Sequence, residues 1–195
     1  MSTTYELDRT SEQDLIRRAQ KGEEQAFAAI YQAYVDRIYR FLRYRAPDQA
    51  SAEDLTSEVF LRAWDKLGSY HPTGAPIAAW LFRIARNLAI DHARLRKPLV
   101  DLEALPPQEA ASSSSMDDWV HARIDGRQVM QLLEELSEPQ REVLVLKFVE
   151  GLATAEVAQV LGKRQGAVRA LQMRGLQALS GLLESRGREE SHDRA

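Results

Sequence analysis

Four basic side chains, Lys163, Arg164, Arg169 and Arg174, fall in the 27 residues from Val157 to Leu183, a window without a single acid. Arginine can read guanine with two hydrogen bonds in the major groove, and lysine or arginine can neutralise phosphate. A second basic window runs from Ala78 to Lys97, with five cations against Asp91 alone. Both patterns suit a polyanion, although a basic run can also be an ordinary solvated helix face. Covalent chemistry has little to work with. The four histidines, His71, His92, His121 and His192, show no metal-ligand spacing, and cysteine is absent. No phosphate loop, nucleophile elbow or HExxH pattern occurs. We expect no enzymatic activity, no cofactor, no metal site and no small-molecule substrate.

The elements that would position the first basic window can be read from turn chemistry. Ser137-Glu138-Pro139-Gln140 starts a helix, with Ser137 as cap, Gln140 at the capping-box position and proline in the first turn. Gly151 stops it. A short helix from Thr154 to Leu161 has Val157, Ala158 and Leu161 on its apolar side, and Gly162 breaks it. A longer helix begins near Gln165, with Val168, Leu171, Leu176, Leu179 and Leu183 facing inward. Short helix, glycine turn and longer basic helix form the helix-turn-helix layout, whose second helix enters the major groove. Lys163 and Arg164 stand at its entrance, where a helix N-terminus also favours phosphate.

The rest of the chain is also helical. Leu15, Ile16 and Ala19, then Phe27, Ile30, Tyr31, Tyr34, Ile38, Phe41 and Leu42, recur at three- and four-residue steps. Lys21-Gly22 separates these two helices, and Pro47 closes the second. Ser51, with Asp54 three residues on, starts a third helix that ends at Gly68. The loop to Pro76 is rich in Gly and Pro, and a fourth helix follows from Ile77. No useful strand alternation appears.

The expected fold class is therefore all-α, as two small helical domains on a flexible acidic linker. Residues 1–97 form the first domain, 98–120 the linker, 121–186 the second domain and 187–195 a charged tail. The linker carries Pro98, Pro106, Pro107 and the serines 112–115. Residues 98–126 hold one base against six acids. The overall charge of −3 thus hides two basic windows around an acidic tether. With 44% apolar and 28% charged residues, the 195-residue chain can close helical cores and remain well solvated. A polar start, no cysteine and no run of about 20 apolar residues suggest a cytoplasmic protein without membrane insertion.

Three segments in order resemble the sigma-70 family, in its extracytoplasmic function (ECF) group of alternative sigma factors. Glu53 to Trp64 (EDLTSEVFLRAW) is similar to the family's polymerase-binding helix. Ala79 to Lys97 (AWLFRIARNLAIDHARLRK) is similar to its −10-binding helix. Leu136 to Leu152 (LSEPQREVLVLKFVEGL), followed by Glu156 to Gly162, resembles its −35-binding region. The resemblance covers about 160 residues. It implies binding to core RNA polymerase through the β′ coiled coil and β flap, recognition of −35 and −10 promoter DNA, promoter melting, and regulation by an anti-sigma factor.

The resemblance also implies site residues. Asp54, Glu58, Phe60 and Arg62 would meet polymerase, with Trp64 read as core. Tyr70, His71, Arg83, Arg86, Asn87 and His92 would meet the −10 element, the first two from a base-capturing loop spanning Ser69 to Ile77. Lys163, Arg164, Arg169, Ala170, Met173 and Arg174 would meet the −35 element. The acids Asp101, Glu103, Glu109, Asp117 and Asp118 would thread the polymerase channel as an RNA mimic, against the simpler reading of a solvated tether. This chain departs from the family at Thr154, where tyrosine is common. It departs again at Ala167, at Ala170-Leu171-Gln172 and at Gly175, where the family favours threonine, Ser-Arg-Leu and alanine. A stand-alone helix-turn-helix regulator is the main alternative; it would need a dimer and would bind duplex DNA tightly without polymerase. A protein-binding helical scaffold would leave the acid-free basic helix without a use.

Overall fold

The computed structural model describes residues 9–43, 45–71, 76–96 and 132–192. The chain divides into two compact units, one of Met1–Asp101 with Ala158–Gly162 and one of Leu102–Val157 with Lys163–Ala195. The linker residues, the acids within it, Lys97 and the first part of the second domain lie outside the described residues. Every regular element among the described residues is helical.

The N-terminal unit consists of α1 (Arg9–Gln20), α2 (Glu24–Arg43), α3 (Gln49–Leu67) and α4 (Ile77–Arg96). Gly22, at φ 88°, supplies the left-handed turn after α1 that other residues adopt only at a cost. Ile16, Ile30, Ile38, Phe41, Leu42, Val59, Leu81 and Phe82 are fully buried. Phe41 of α2 meets Phe82 of α4 edge-on at 5.1 Å, which favours the positive ring edge over the negative face. The third helix starts two residues earlier than its serine suggested. Asp48 is its cap, with extended backbone and a carboxylate that accepts from the Ser51 N–H at 2.7 Å. A carboxylate is as good a cap as a hydroxyl, and here it lies one turn upstream.

The C-terminal stretch of the chain contains α5 (Glu138–Leu144), a π turn (Val145–Val149), α6 (Thr154–Leu161) and α7 (Gln165–His192). Ser137 precedes α5 but makes no capping hydrogen bond through its side chain, contrary to expectation. Pro139 leaves one fewer first-turn donor to satisfy. Val143, Leu144, Val145 and Leu146 are all buried, although four successive residues of a regular α-helix spread around most of its circumference. The wider π turn, closed by the Glu150 N–H on the Val145 carbonyl at 2.9 Å, falls within this run. Gly151 then turns the chain at φ 68°.

α7 continues to His192, six residues beyond the expected domain end and into the segment read as tail. Gly187 lowers helix propensity by about 1 kcal/mol, but the surrounding Arg, Glu and Ser residues do not stop a helix. Along α7 only Val168 is buried among the expected inward leucines and valine; Leu171, Leu176, Leu179 and Leu183 are half-buried. Gly175 lies where α7 crosses α5. A Cβ there would stand 3.0 Å from Leu144 Cδ1 and 3.4 Å from Gln140 Cβ. The glycine therefore allows a closer helix approach than an alanine would.

Candidate nucleic-acid interface

The helix-turn-helix is assembled locally. Ala153 precedes α6 and has no capping side chain, but Glu156 reaches back to accept from the Ala153 N–H at 2.8 Å. This is half of a capping box, enough to satisfy one orphan donor. Gly162, at φ 63°, turns the chain from α6 to α7. Lys163 and Arg164 are exposed in the two-residue approach to α7, and Arg169 and Arg174 are exposed on the helix itself. Arg174 folds back so that Nε donates to the Ala170 carbonyl at 3.3 Å. Ala170, Gln172 and Met173 are half-buried. The start of α7 and its two-residue approach thus carry three exposed cations and one tethered arginine, above the fully buried Val168.

The second basic surface belongs to α4. Arg83 and Asn87 are exposed one turn apart, while Arg86 and His92 are half-buried. The loop before α4 begins with Ser69, Tyr70 and His71. His71 Nδ1 lies 2.8 Å from the Ser69 carbonyl, and its ring remains exposed. Tyr70 packs its ring on Trp80 at 4.8 Å with a 41° tilt. Both rings are half-buried, so Trp80 is not closed into the core. Burial and the nearby Glu12 carboxylate push the Tyr70 phenol up to about 12. Residues 72–75 of the loop expected to capture a base lie outside the described residues.

On α3, Asp54, Glu58 and Arg62 follow at four-residue steps and form one charged stripe. Asp54 is exposed, and Arg62 donates from Nε to Glu58 at 2.6 Å. The aromatic assignments exchange places. Phe60 is only 4% exposed, with its ring edge-on to Tyr31 at 4.7 Å. Trp64 is 38% exposed and leans on Phe27 at 4.8 Å. Phe60 therefore packs within the unit, and Trp64, with the 62% exposed Leu61 and 42% exposed Tyr31, faces outward. The two aromatic positions are one turn apart, so periodicity alone put them on one face without telling which is covered.

Two further residues were missed from sequence. Gln20 of α1 donates from Nε2 to the carbonyls of Leu67 and Tyr70, at 3.0 and 2.7 Å. Glu12, also on α1, is buried; its carboxylate accepts from the Ile77 N–H at 2.7 Å and from the Tyr34 hydroxyl at 3.1 Å. One signal was available: α4 opens after Pro76 with no Ser, Thr, Asp or Asn to cap it and no acid in its first turn. A helix start without local acceptors needs a remote one. Among the described residues no group of three or more potential metal ligands forms, and no helix is long and apolar enough to cross a membrane.

Residues 30–98 match the family model for sigma-70 region 2, and residues 126–179 match that for sigma-70 region 4. The chain is 39% identical over 173 residues to the ECF RNA polymerase sigma factor BldN of Streptomyces coelicolor, covering 87% of this chain and 65% of BldN. It is 30% identical over 177 residues to the ECF RNA polymerase sigma factor SigW of Bacillus subtilis, covering 84% of this chain and 92% of SigW. CnrH, solved in complex with the cytosolic domain of CnrY, superposes with a TM-score of 0.67 at 25% identity, over 90% of this chain and 98% of CnrH. The sigma factor RpoE in complex with the anti-sigma factor NepR from Bartonella quintana shares the fold, with a TM-score of 0.62 at 23% identity over 81% of this chain and 96% of RpoE.

Proposed function

Because the chain belongs to the ECF sigma factors of the sigma-70 family, we propose that it binds core RNA polymerase and divides promoter reading between its two units. The N-terminal unit takes the −10 element and the polymerase, and the C-terminal unit takes the −35 element. The helix-turn-helix carries this reading: Gly162 turns the chain into a helix whose exposed side chains include Arg169 and Arg174, with Lys163 and Arg164 just ahead. On this reading Lys163 and Arg164 hold phosphate and fix the register of α7. Arg169 reaches a base edge, flanked by Ala170 and Met173.

At the −10 element, Arg83, Arg86, Asn87 and His92 meet the DNA while Tyr70 and His71 offer ring surface to an unstacked base. Stacking contributes about 1–3 kcal/mol per base and the unstacking costs a few. Promoter opening on this reading needs no catalytic group in the chain, since capture of single-stranded bases shifts the melting equilibrium. The protein then acts without enzymatic activity of its own, in the cytoplasm with the polymerase. Asp54, Glu58 and Arg62 give the polymerase coiled coil a charged stripe, and Trp64 and Leu61 give it apolar area. An anti-sigma factor completes the partners, as RpoE was solved with the anti-sigma factor NepR.

Run-off transcription with core polymerase on a genomic fragment library tests the whole reading. Start sites should follow one shared two-part motif and should vanish when this protein is omitted. Tight binding to duplex DNA without polymerase, and no transcripts with it, would favour the stand-alone regulator instead.

A further inference from the structure

The loop that precedes α4 is fastened at both described ends by one helix that carries none of the DNA-facing residues. At its entrance the Gln20 amide spends both of its N–H groups on loop and helix-end carbonyls, those of Leu67 and Tyr70, at 3.0 and 2.7 Å. At its exit the buried Glu12 carboxylate takes the first-turn Ile77 N–H at 2.7 Å. The second carboxylate oxygen is occupied by the Tyr34 hydroxyl at 3.1 Å, which ties the same group to α2. A buried carboxylate is costly unless hydrogen-bonded, so this one has little freedom to turn away. Between the two clamps, Tyr70 rests on Trp80.

We propose that Gln20 and Glu12 are positioning residues for −10 recognition: from α1 they set the height and angle of the loop that carries Tyr70 and His71, and so determine how strictly the captured base is chosen. This rests on the reading that the loop captures a −10 base. It adds that selectivity there depends on two side chains that never touch DNA. Gln20 fixes the Tyr70 carbonyl, so its loss frees the Tyr70 ring to tilt on Trp80. Glu12 fixes the start of α4, so its loss lets the loop exit and the first turn move together. In each case the base pocket loosens without losing any group that contacts the base.

The test is transcription by the reconstituted holoenzyme on a promoter library randomised across the −10 element. Gln20→Met keeps the volume of the side chain and removes both donors. It should lower the preference for the loop-held base roughly five-fold, the equivalent of one lost hydrogen bond, while preference at the −35 element and affinity for core polymerase stay as in the unaltered protein. Glu12→Met should do the same, and Glu12→Gln, which keeps acceptor oxygen for Ile77, should restore most of the preference. Tyr70→Ala and His71→Ala serve as controls on the loop itself. If these controls leave the −10 preference unchanged, the loop reading is wrong and the α1 proposal goes with it. If they alter it while Gln20→Met leaves it unchanged, or weakens all promoters equally, the positioning role alone is overturned. Should Glu12→Met fail to fold, Gln20→Met decides, because its site is half-buried and sterically matched.

Discussion

Arg169 and Lys163 belong to the same helix-turn-helix but should respond differently to removal. Arg169→Ala should cost roughly 1–3 kcal/mol of promoter affinity and relax preference at one base position. Lys163→Ala should weaken all sequences alike and flatten the slope of log affinity against log salt by about one. Binding of −35 duplexes by the holoenzyme at several salt concentrations distinguishes them; identical behaviour of the two variants would remove the base-reading role from Arg169. On α3, Trp64→Ala should weaken association with core polymerase more than it lowers the melting temperature, since the ring is 38% exposed. Phe60→Ala should do the reverse, because it empties a buried site next to Tyr31, at about 3–5 kcal/mol. Equal polymerase affinity for Trp64→Ala and the unaltered chain would clear the aromatic edge of a docking role. Sequence placed both rings on one face of the helix. Only the packing against α2 told which of them is available.

At the scale of elements, the crossing of α5 and α7 sets how the reading helix is carried. Gly175 permits that approach, with Leu144 3.0 Å from where a Cβ would stand. Gly175→Leu should destabilise the C-terminal unit by about 1–3 kcal/mol through overpacking, seen as a lower urea midpoint, and should reduce −35 binding in parallel. A stable Gly175→Leu protein with full −35 affinity would show that the close approach is dispensable. The sequence already announced both helices, their glycine break and the basic outer face, because each is a local property of a few neighbouring residues. It did not announce the π turn, nor the exchange of the Ser137 cap for none and of Ser51 for Asp48. Caps depend on a single hydrogen bond, and several nearby side chains can compete to make it.

For the whole N-terminal unit, the tyrosines predict a one-sided pH response. Tyr34 is buried, and its phenol is pushed well above the ordinary value by burial, then by Glu12. Tyr70 is raised to about 12 by the same two causes. Both are neutral when folded, whereas an unfolded phenol ionises near 10. Stability from these groups is therefore complete below pH 10 and is lost progressively as the pH rises toward 12. Thermal melts at pH 8, 10 and 11 should show a flat region and then a fall, and Tyr34→Phe should make that fall shallower. An equally steep fall in Tyr34→Phe would place the alkaline transition elsewhere.

The two basic windows, the helical periodicity and the glycine between α6 and α7 were settled by the amino-acid sequence alone. They are short-range features, and they were enough to expect an all-helical chain whose basic windows suit a polyanion. The loop before α4 could be found in the sequence, but its fastening could not. Gln20 is 47 and 50 residues from the carbonyls it holds, and Glu12 is 65 residues from Ile77. No periodicity links positions so far apart; they meet only because the apolar faces of α1, α2, α3 and α4 close on one core. Tertiary structure decided what holds the loop, since a buried polar group must find a partner wherever packing brings one within reach.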